Sequence, residues 1–243
     1  MSNANDYLYE GFIDQVKGCL SQGDSGSYDQ GYEDGKNSVV DNLRYAKSAS
    51  ILSLNLFNKP EVELNLDNAV QLNNLCNVQK SGGDKEEWIN TTVEKLTVNC
   101  PNLVSIMNRF LYCDNISQDK TLKTIILNVD TQKTTRMDEM FTNLDALETI
   151  GGKPLDFTSC TQANSIMRNC KALKEFRVAP NSINLRFEVN SVNLSAETIQ
   201  SIIDGLADLT GGTAQTLDLH SDVADKLTPE QLTQIANKNW DVT

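Results

Sequence analysis

Short apolar signatures recur through the middle of this chain. Val93, Leu122, Leu147 and Leu173 each open one, at nearly even spacing. Three of them read V-x-x-L-x-V from Val93, L-x-x-I-x-L from Leu122 and L-x-x-F-x-V from Leu173. At Leu147 the pattern is interrupted: Leu147 and Ile150 are followed by Gly151-Gly152-Lys153-Pro154, then Leu155 and Phe157. Apolar residues two apart mark a strand with one inward face. A near-constant period over this stretch marks one supersecondary unit, copied and stacked on the next. Between the strands lie Leu103, Ile106, Met107 and Phe110, then Met137, Met140, Phe141 and Leu144, then Ile166, Met167 and Cys170. These predict helical or irregular returns. Met140 to Ile150 aligns without gaps on Ile166 to Phe176, matching Asn143 with Asn169, Ala146 with Ala172 and Leu147 with Leu173. The four opening residues are therefore expected to fill one slot in successive coils.

The flanks read differently. Tyr9, Phe12, Ile13, Val16 and Leu20 form a helical stripe that Gly11 and Gly18 weaken, so residues 1–20 are expected to be a docking helix. Residues 21–49 hold Gly23, Gly26, Gly31 and Gly35 among Ser, Asp and Tyr, the composition of a Gly-rich linker, here with a short helix. Strand character begins at Ile51, Leu54 and Leu56 and resumes at Leu64 and Leu66, a hairpin or cap sealing the first of the repeats assigned to 50–192. Residues 79–92, with Trp88, read as a polar insertion. Residues 193–243 read as a C-terminal capping unit. Phe187 and Val189 form a strand just before it, and Ser195 caps a helix through Ile199, Ile202, Ile203 and Leu206 that Gly211-Gly212 should stop. Leu217 and Leu219 make a strand, and Thr228-Pro229-Glu230-Gln231 is a capping box opening a helix through Leu232 and Ile235. Asn239 to Thr243 reads as a closing edge strand. The fold class expected is thus α/β: a parallel strand stack with short helical or irregular returns.

Composition narrows the functions on offer. The 243 residues carry a net charge of −12 and a pI near 4.5, which disfavours nucleic acid and anionic lipid as partners. No stretch approaches the ~18 apolar residues of a membrane span. Met1 to Leu20 has neither a basic start nor a continuous apolar core, so the chain is expected to be used without Sec export or to have had a signal cut away, Met1 favouring the former. The six cysteines show no C-x-x-C pair and the chain has one histidine, so neither zinc nor a disulfide framework is expected. Cys113 and Cys170 occupy equivalent places in two units and read as small buried hydrophobes. Asp24, Asp29, Glu33 and Asp34 lack the spacing of a calcium loop.

Catalytic constellations are not expected either. His220 lies beside Asp218 and Asp222, an arrangement more often solvated than catalytic. Gly151-Gly152 lacks the following helix that a phosphate cradle needs. The chain is read as a non-enzyme with no cofactor and no metal. What remains is the exposed face of the strands, whose candidate residues lie between inward apolar ones: Asn55, Asn65, Thr97, Ile126, Asp156, Arg177, Glu188 and Asp218.

These units resemble the leucine-rich repeat family, in its degenerate BspA-like branch. There M-F-x-x-C-x-x-L precedes each strand; here Met140-Phe141 precedes Leu144 and Leu147, and Met167 precedes Cys170 and Leu173. The resemblance covers roughly residues 50 to 243. The asparagine that the family places after each strand is largely missing, and the Gly-Gly-Lys-Pro insertion is a second departure. Tyr28 to Lys36, Leu194 to His220 and Asn237 to Trp240 resemble flanks found with such repeats in proteins of gut bacteria and their phages. The resemblance implies a leucine-rich-repeat solenoid in a phage virion, tail- or capsid-associated and multi-copy. Other virion proteins would bind the N-terminal segment, and a host surface protein or glycan the repeats. The alternative it implies is a bacterial cell-surface adhesin.

Overall fold

The computed structural model describes residues 48–50, 60–67, 71–73, 93–103, 105–106, 111–112 and 121–243. The docking stripe Tyr9, Phe12, Ile13, Val16 and Leu20, the Gly-rich segment, Asn55 and the Trp88 insertion lie outside them. The described residues form a mixed α/β fold with parallel sheets and few helices.

The main sheet has four strands in the order β2 (Glu61–Asn65), β4 (Lys95–Cys100), β7 (Thr124–Val129) and β9 (Thr149–Gly152), all parallel. The first three strands bury alternate residues, Val62 and Leu64, then Leu96, Val98 and Cys100, then Ile125, Leu127 and Val129, and β9 buries Ile150. This period of two puts one pleat face into the core and the other into water. Parallel neighbours cannot be joined by a tight turn, so each strand is followed by a return segment. The returns carry their own short pairings: β1 (Ser48–Ser50), β3 (Gln71–Asn73) and β5 (Ser105–Ile106) form one parallel sheet, and β6 (Leu111–Tyr112) pairs with β8 (Phe141–Thr142). β1 straddles the boundary expected at residue 50. β2 runs parallel to β4, and the hairpin or cap expected with Ile51–Leu56 falls on residues outside the described ones.

The four residues that open the signatures are in register. Lys95 pairs with Thr124, Thr124 with Thr149, and Thr149 bridges to Glu175; Val93, Leu122, Leu147 and Leu173 each stand two residues earlier and are fully buried. Between Lys123 and Lys174 the bonding follows the whole contour. Past the strand, Met137, Glu139, Phe141 and Asn143 donate their amides to the carbonyls of Gln162, Asn164, Ile166 and Arg168, with the same separation between donor and acceptor each time. Glu148 then donates to Lys123, and Lys174 to Glu148. The returns are therefore irregular and bridged rather than helical, with Met137, Met140, Phe141, Ile166, Met167 and Cys170 packed inside.

Backbone conformation repeats as well. Glu139 and Asn143 have φ of 49° and 58°; their counterparts Ser165 and Asn169 have 51° and 59°. Left-handed backbone is uncommon outside glycine, and asparagine tolerates it best. The Asn169 amide also donates to Asn143 Oδ1 at 2.7 Å. A third recurring element is the turn after the strand. Asp130, Asp156 and Asp208 each accept, through Oδ1, the amide two residues on, at 3.0, 2.8 and 2.9 Å. In each turn a backbone bond follows: Thr134 to Thr131, Cys160 to Phe157, Gly212 to Leu209.

The C-terminal part ends the main sheet with a helix. α1 (Ala196–Gly205) is capped by Ser195, whose hydroxyl accepts from the Thr198 amide. It lies along the last strand segment, where the Phe176 and Val178 amides would otherwise seek another strand. Thr198 Oγ1 and Ser201 Oγ accept them instead, at 3.3 and 3.0 Å. Covering an edge in this way removes a template for unwanted pairing. α1 stops at Gly205, well before Gly211-Gly212, because tertiary pairing takes over: Ile183 donates to the Gly205 carbonyl and Ala207 to the Ile183 carbonyl. A Cβ at Gly205 would come within 2.6 Å of Val178 Cγ1, so close packing holds that position to glycine. β10 (Phe187–Val189), β11 (Gln215–Leu219) and β12 (Trp240–Val242) make a final parallel sheet with β12 at its edge. α2 (Ser221–Ala224) follows β11, and α3 (Pro229–Asn237) opens on the expected capping box at Thr228 and Gln231. Ile235 is buried but Leu232 is 45% exposed, so the apolar face of α3 is narrower than its sequence suggests.

Candidate functional site

The exposed face of the main sheet consists of side-chain rows running across the strands. One row is Glu63, Thr97, Ile126 and Gly151, which pair in sequence. The next, two residues on, is Asn65, Asn99 and Asn128. Asn99 Nδ2 donates to Asn65 Oδ1 at 2.7 Å and to Glu63 Oε1 at 2.8 Å, and Asn128 Nδ2 donates to Asn99 Oδ1 at 2.7 Å. An asparagine ladder is thus present, placed near the strand ends on the outer face rather than after the strand.

A charged row borders the sheet. Lys123 Nζ lies 2.9 Å from Glu94 Oε2, and Lys174 Nζ lies 2.9 Å from Glu148 Oε2. The hydrogen bond from Lys174, together with its charge, holds the Glu148 carboxyl below its ordinary value of 4.5. These pairs are well exposed, and in water such pairs fix register more than they add stability.

The row pattern breaks beside β9. Ile150 donates to the Glu175 carbonyl, and the next bond to that segment is Leu155 to the Arg177 carbonyl. Four residues, Gly151 to Pro154, therefore stand opposite the single residue Phe176, which lies between those two acceptors. Gly151 and Gly152 stay paired with Ile126 and Leu127 in β7, so the bulge opens on the side of the Glu175–Arg177 segment. Gly152 has φ of 92°, and a Cβ there would fall 2.4 Å from the Leu127 carbonyl oxygen. Arg177 Nη2 donates to the Gly152 carbonyl at 2.6 Å. The opening is walled by the first turns of α1, leaving a cavity of about 360 Å³. Its polar lining is Thr149, Glu175, Arg177, Ser195, Glu197, Thr198 and Ser201.

The seven described candidate face residues do not form one strip. Thr97 and Ile126 share a row, with Arg177 just beyond the bulge. Asn65 belongs to the asparagine row, since Val62, Leu64 and Leu66 all point inward and β2 pairs Leu64 with Val98. Asp156 serves a turn: its backbone amide donates to Thr131 Oγ1 and its carboxylate accepts from Thr158. Glu188 and Asp218 are paired in the other sheet, where Arg186 Nη2 donates to Asp218 Oδ2 and Asn190 Nδ2 to Glu188 Oε1. His220 caps α2, Nδ1 accepting the Asp222 amide at 3.2 Å. Glu175, Glu197 and Ser201 were not indicated by sequence pattern; the Gly-Gly-Lys-Pro interruption was their only signal.

Burial raises the thiols of Cys100 to about 11 and Cys170 to about 12, and Cys160 also rises. Buried, protonated thiols of this kind are poor nucleophiles. Among the described residues no group of His, Cys, Asp and Glu is arranged to hold a metal ion, and no helix is long and apolar enough to cross a membrane. Comparison with models of known families, with characterised proteins and with solved structures returned no match.

Proposed function

We propose that this chain is a non-enzymatic recognition module, a solenoid of leucine-rich-repeat-like coils, displayed by a phage virion and attached through its N-terminal segment. The observation that carries the reading is the near-constant offset between Lys123 and Lys174. There, outside the bulge at Gly151–Pro154, strand, return and left-handed residues each meet counterparts whose separation varies by no more than one position. Stacked units of this kind bury a continuous core and leave a long, ordered sheet face in water. That face carries paired amides, neutralised charges and the cavity beside β9, which suit a protein or glycan surface. The virion placement comes from the flanks, Tyr28 to Lys36, Leu194 to His220 and Asn237 to Trp240, through their resemblance to phage-borne repeat proteins. Repeated copies in a symmetric particle would give a weak site high avidity.

Mass spectrometry and cryo-electron microscopy of purified particles test this reading. Peptides of the chain should remain with mature virions through gradient purification, at a copy number matching a symmetric position. Their absence from particles, or their recovery in the bacterial envelope fraction, overturns it; the second result would instead favour the adhesin.

A further inference from the structure

The cavity beside the β9 bulge is the place where the molecule departs from its own repeat. Elsewhere between Lys123 and Lys174 the backbone bonds keep one offset from unit to unit; here three extra residues are accommodated and the sheet parts. Departures from local consistency concentrate at functional sites, and bulges re-aim side chains there. Gly151 lines the cavity without a side chain, and a Cβ there would come within 2.9 Å of Ile126 Cδ1, so a larger residue would have to displace the isoleucine and reshape the cavity edge.

The lining mixes acceptors and donors. Glu175 and Glu197 bring two carboxylates, and Arg177 brings a guanidinium of which one amino group is committed to the Gly152 carbonyl. Ser201 Oγ accepts the Val178 amide and keeps its own proton to donate. Two carboxylates repel a phosphate, and the guanidinium opposes a cation. Ligand hydroxyls, each both donor and acceptor, satisfy all of these groups together. A volume of about 360 Å³ lies at the small end of the range for ligand sites, enough for one or two sugar rings.

We infer that the cavity formed by Gly151, Glu175, Arg177, Glu197 and Ser201 is a binding site for a neutral sugar residue of a surface glycan. This deepens the recognition-module reading and rests on it. The test is a two-dimensional amide NMR titration of the intact chain with glucose, galactose, mannose, rhamnose, N-acetylglucosamine and N-acetylgalactosamine. Each is raised into the tens of millimolar, with inorganic phosphate and free lysine as comparators. At least one sugar should shift the amides of Thr149, Gly151, Arg177 and Glu197 saturably. Gly151→Val and Glu197→Gln should each weaken that sugar about tenfold or more, with spectra otherwise unchanged. Saturable binding that survives Gly151→Val, no response to any of the sugars, or tighter binding of phosphate or lysine would overturn the assignment. Particle composition is measured separately. A sugar-blind cavity in a virion-borne chain defeats only this inference, whereas a sugar site on a chain absent from particles defeats only the virion placement.

Discussion

The repeating stretch between Lys123 and Lys174 and the segment from Ser195 to Thr243 solve the same problem by different means. In the repeats, backbone satisfies backbone: the edge of one unit is the template for the next, and the donor–acceptor offset barely changes. At the C-terminal end, side chains take that work. Thr198 and Ser201 accept amides of the last strand segment, and Lys238 closes the other end of α1. Its ammonium donates to the carbonyls of Ile203, Asp204 and Leu206 at 3.0, 3.2 and 2.7 Å. A cation at a helix C-terminus meets carbonyls that have no partner within the helix. Copying a unit needs little new sequence but leaves an open edge; ending the copies requires residues chosen one by one.

Four substitutions probe that contrast. Phe157→Ala should cost most, about 3–5 kcal/mol. Phe157 is fully buried and meets the Phe187 ring edge-on at 5.1 Å, joining the repeats to the C-terminal part, so chemical denaturation should show both regions weakened together. Lys238→Met should cost about 1–2 kcal/mol. Its effect should be local: hydrogen exchange should quicken over Ile202 to Leu209 while Met137, Phe141 and Asn143 keep their protection. Loss of protection in the repeats as well would mean that the two regions are not separable. Ser195→Ala removes the α1 cap and should cost about 1 kcal/mol, read as a lower melting temperature that Ser195→Asp restores. Glu148→Gln should have the smallest effect, and it depends on pH. The native carboxyl titrates below its ordinary 4.5, so the pair with Lys174 contributes above that pH and is lost as pH falls through the lowered value. Melting temperatures of the variant and the parent should therefore differ slightly at neutral pH and converge in acid.

Much of the interior was legible in the sequence. Leu96 and Val98, Ile125 and Leu127, and Phe176 and Val178 are each separated by one outward residue, and a period of two has one structural meaning. The gapless match of Met140–Ile150 to Ile166–Phe176 corresponds to real counterparts, since Asn143 and Asn169 share both a left-handed backbone and a hydrogen bond. The outer rows were not legible to the same degree. Strand partners are set by inward residues and by returns of unequal length, longer from β2 to β4 than from β7 to β9. Choosing the residue between two apolar ones therefore picked Thr97 where Asn99 stands beside Asn65. The end of α1 was missed because Gly205 is glycine for lack of room against Val178, a reason that propensity does not record. The cavity was visible only as an interruption, because its shape depends on where a bulge parts two strands.

The central claim is that one unit bonds to the next along its whole contour, not merely through a sheet. Trans-hydrogen-bond scalar couplings in a deuterated sample measure this directly. The account predicts couplings from the amides of Met137, Phe141 and Asn143 to the carbonyls of Gln162, Ile166 and Arg168, alongside those of β4, β7 and β9. Couplings confined to the strands, or joining the return segments to other partners, would contradict it.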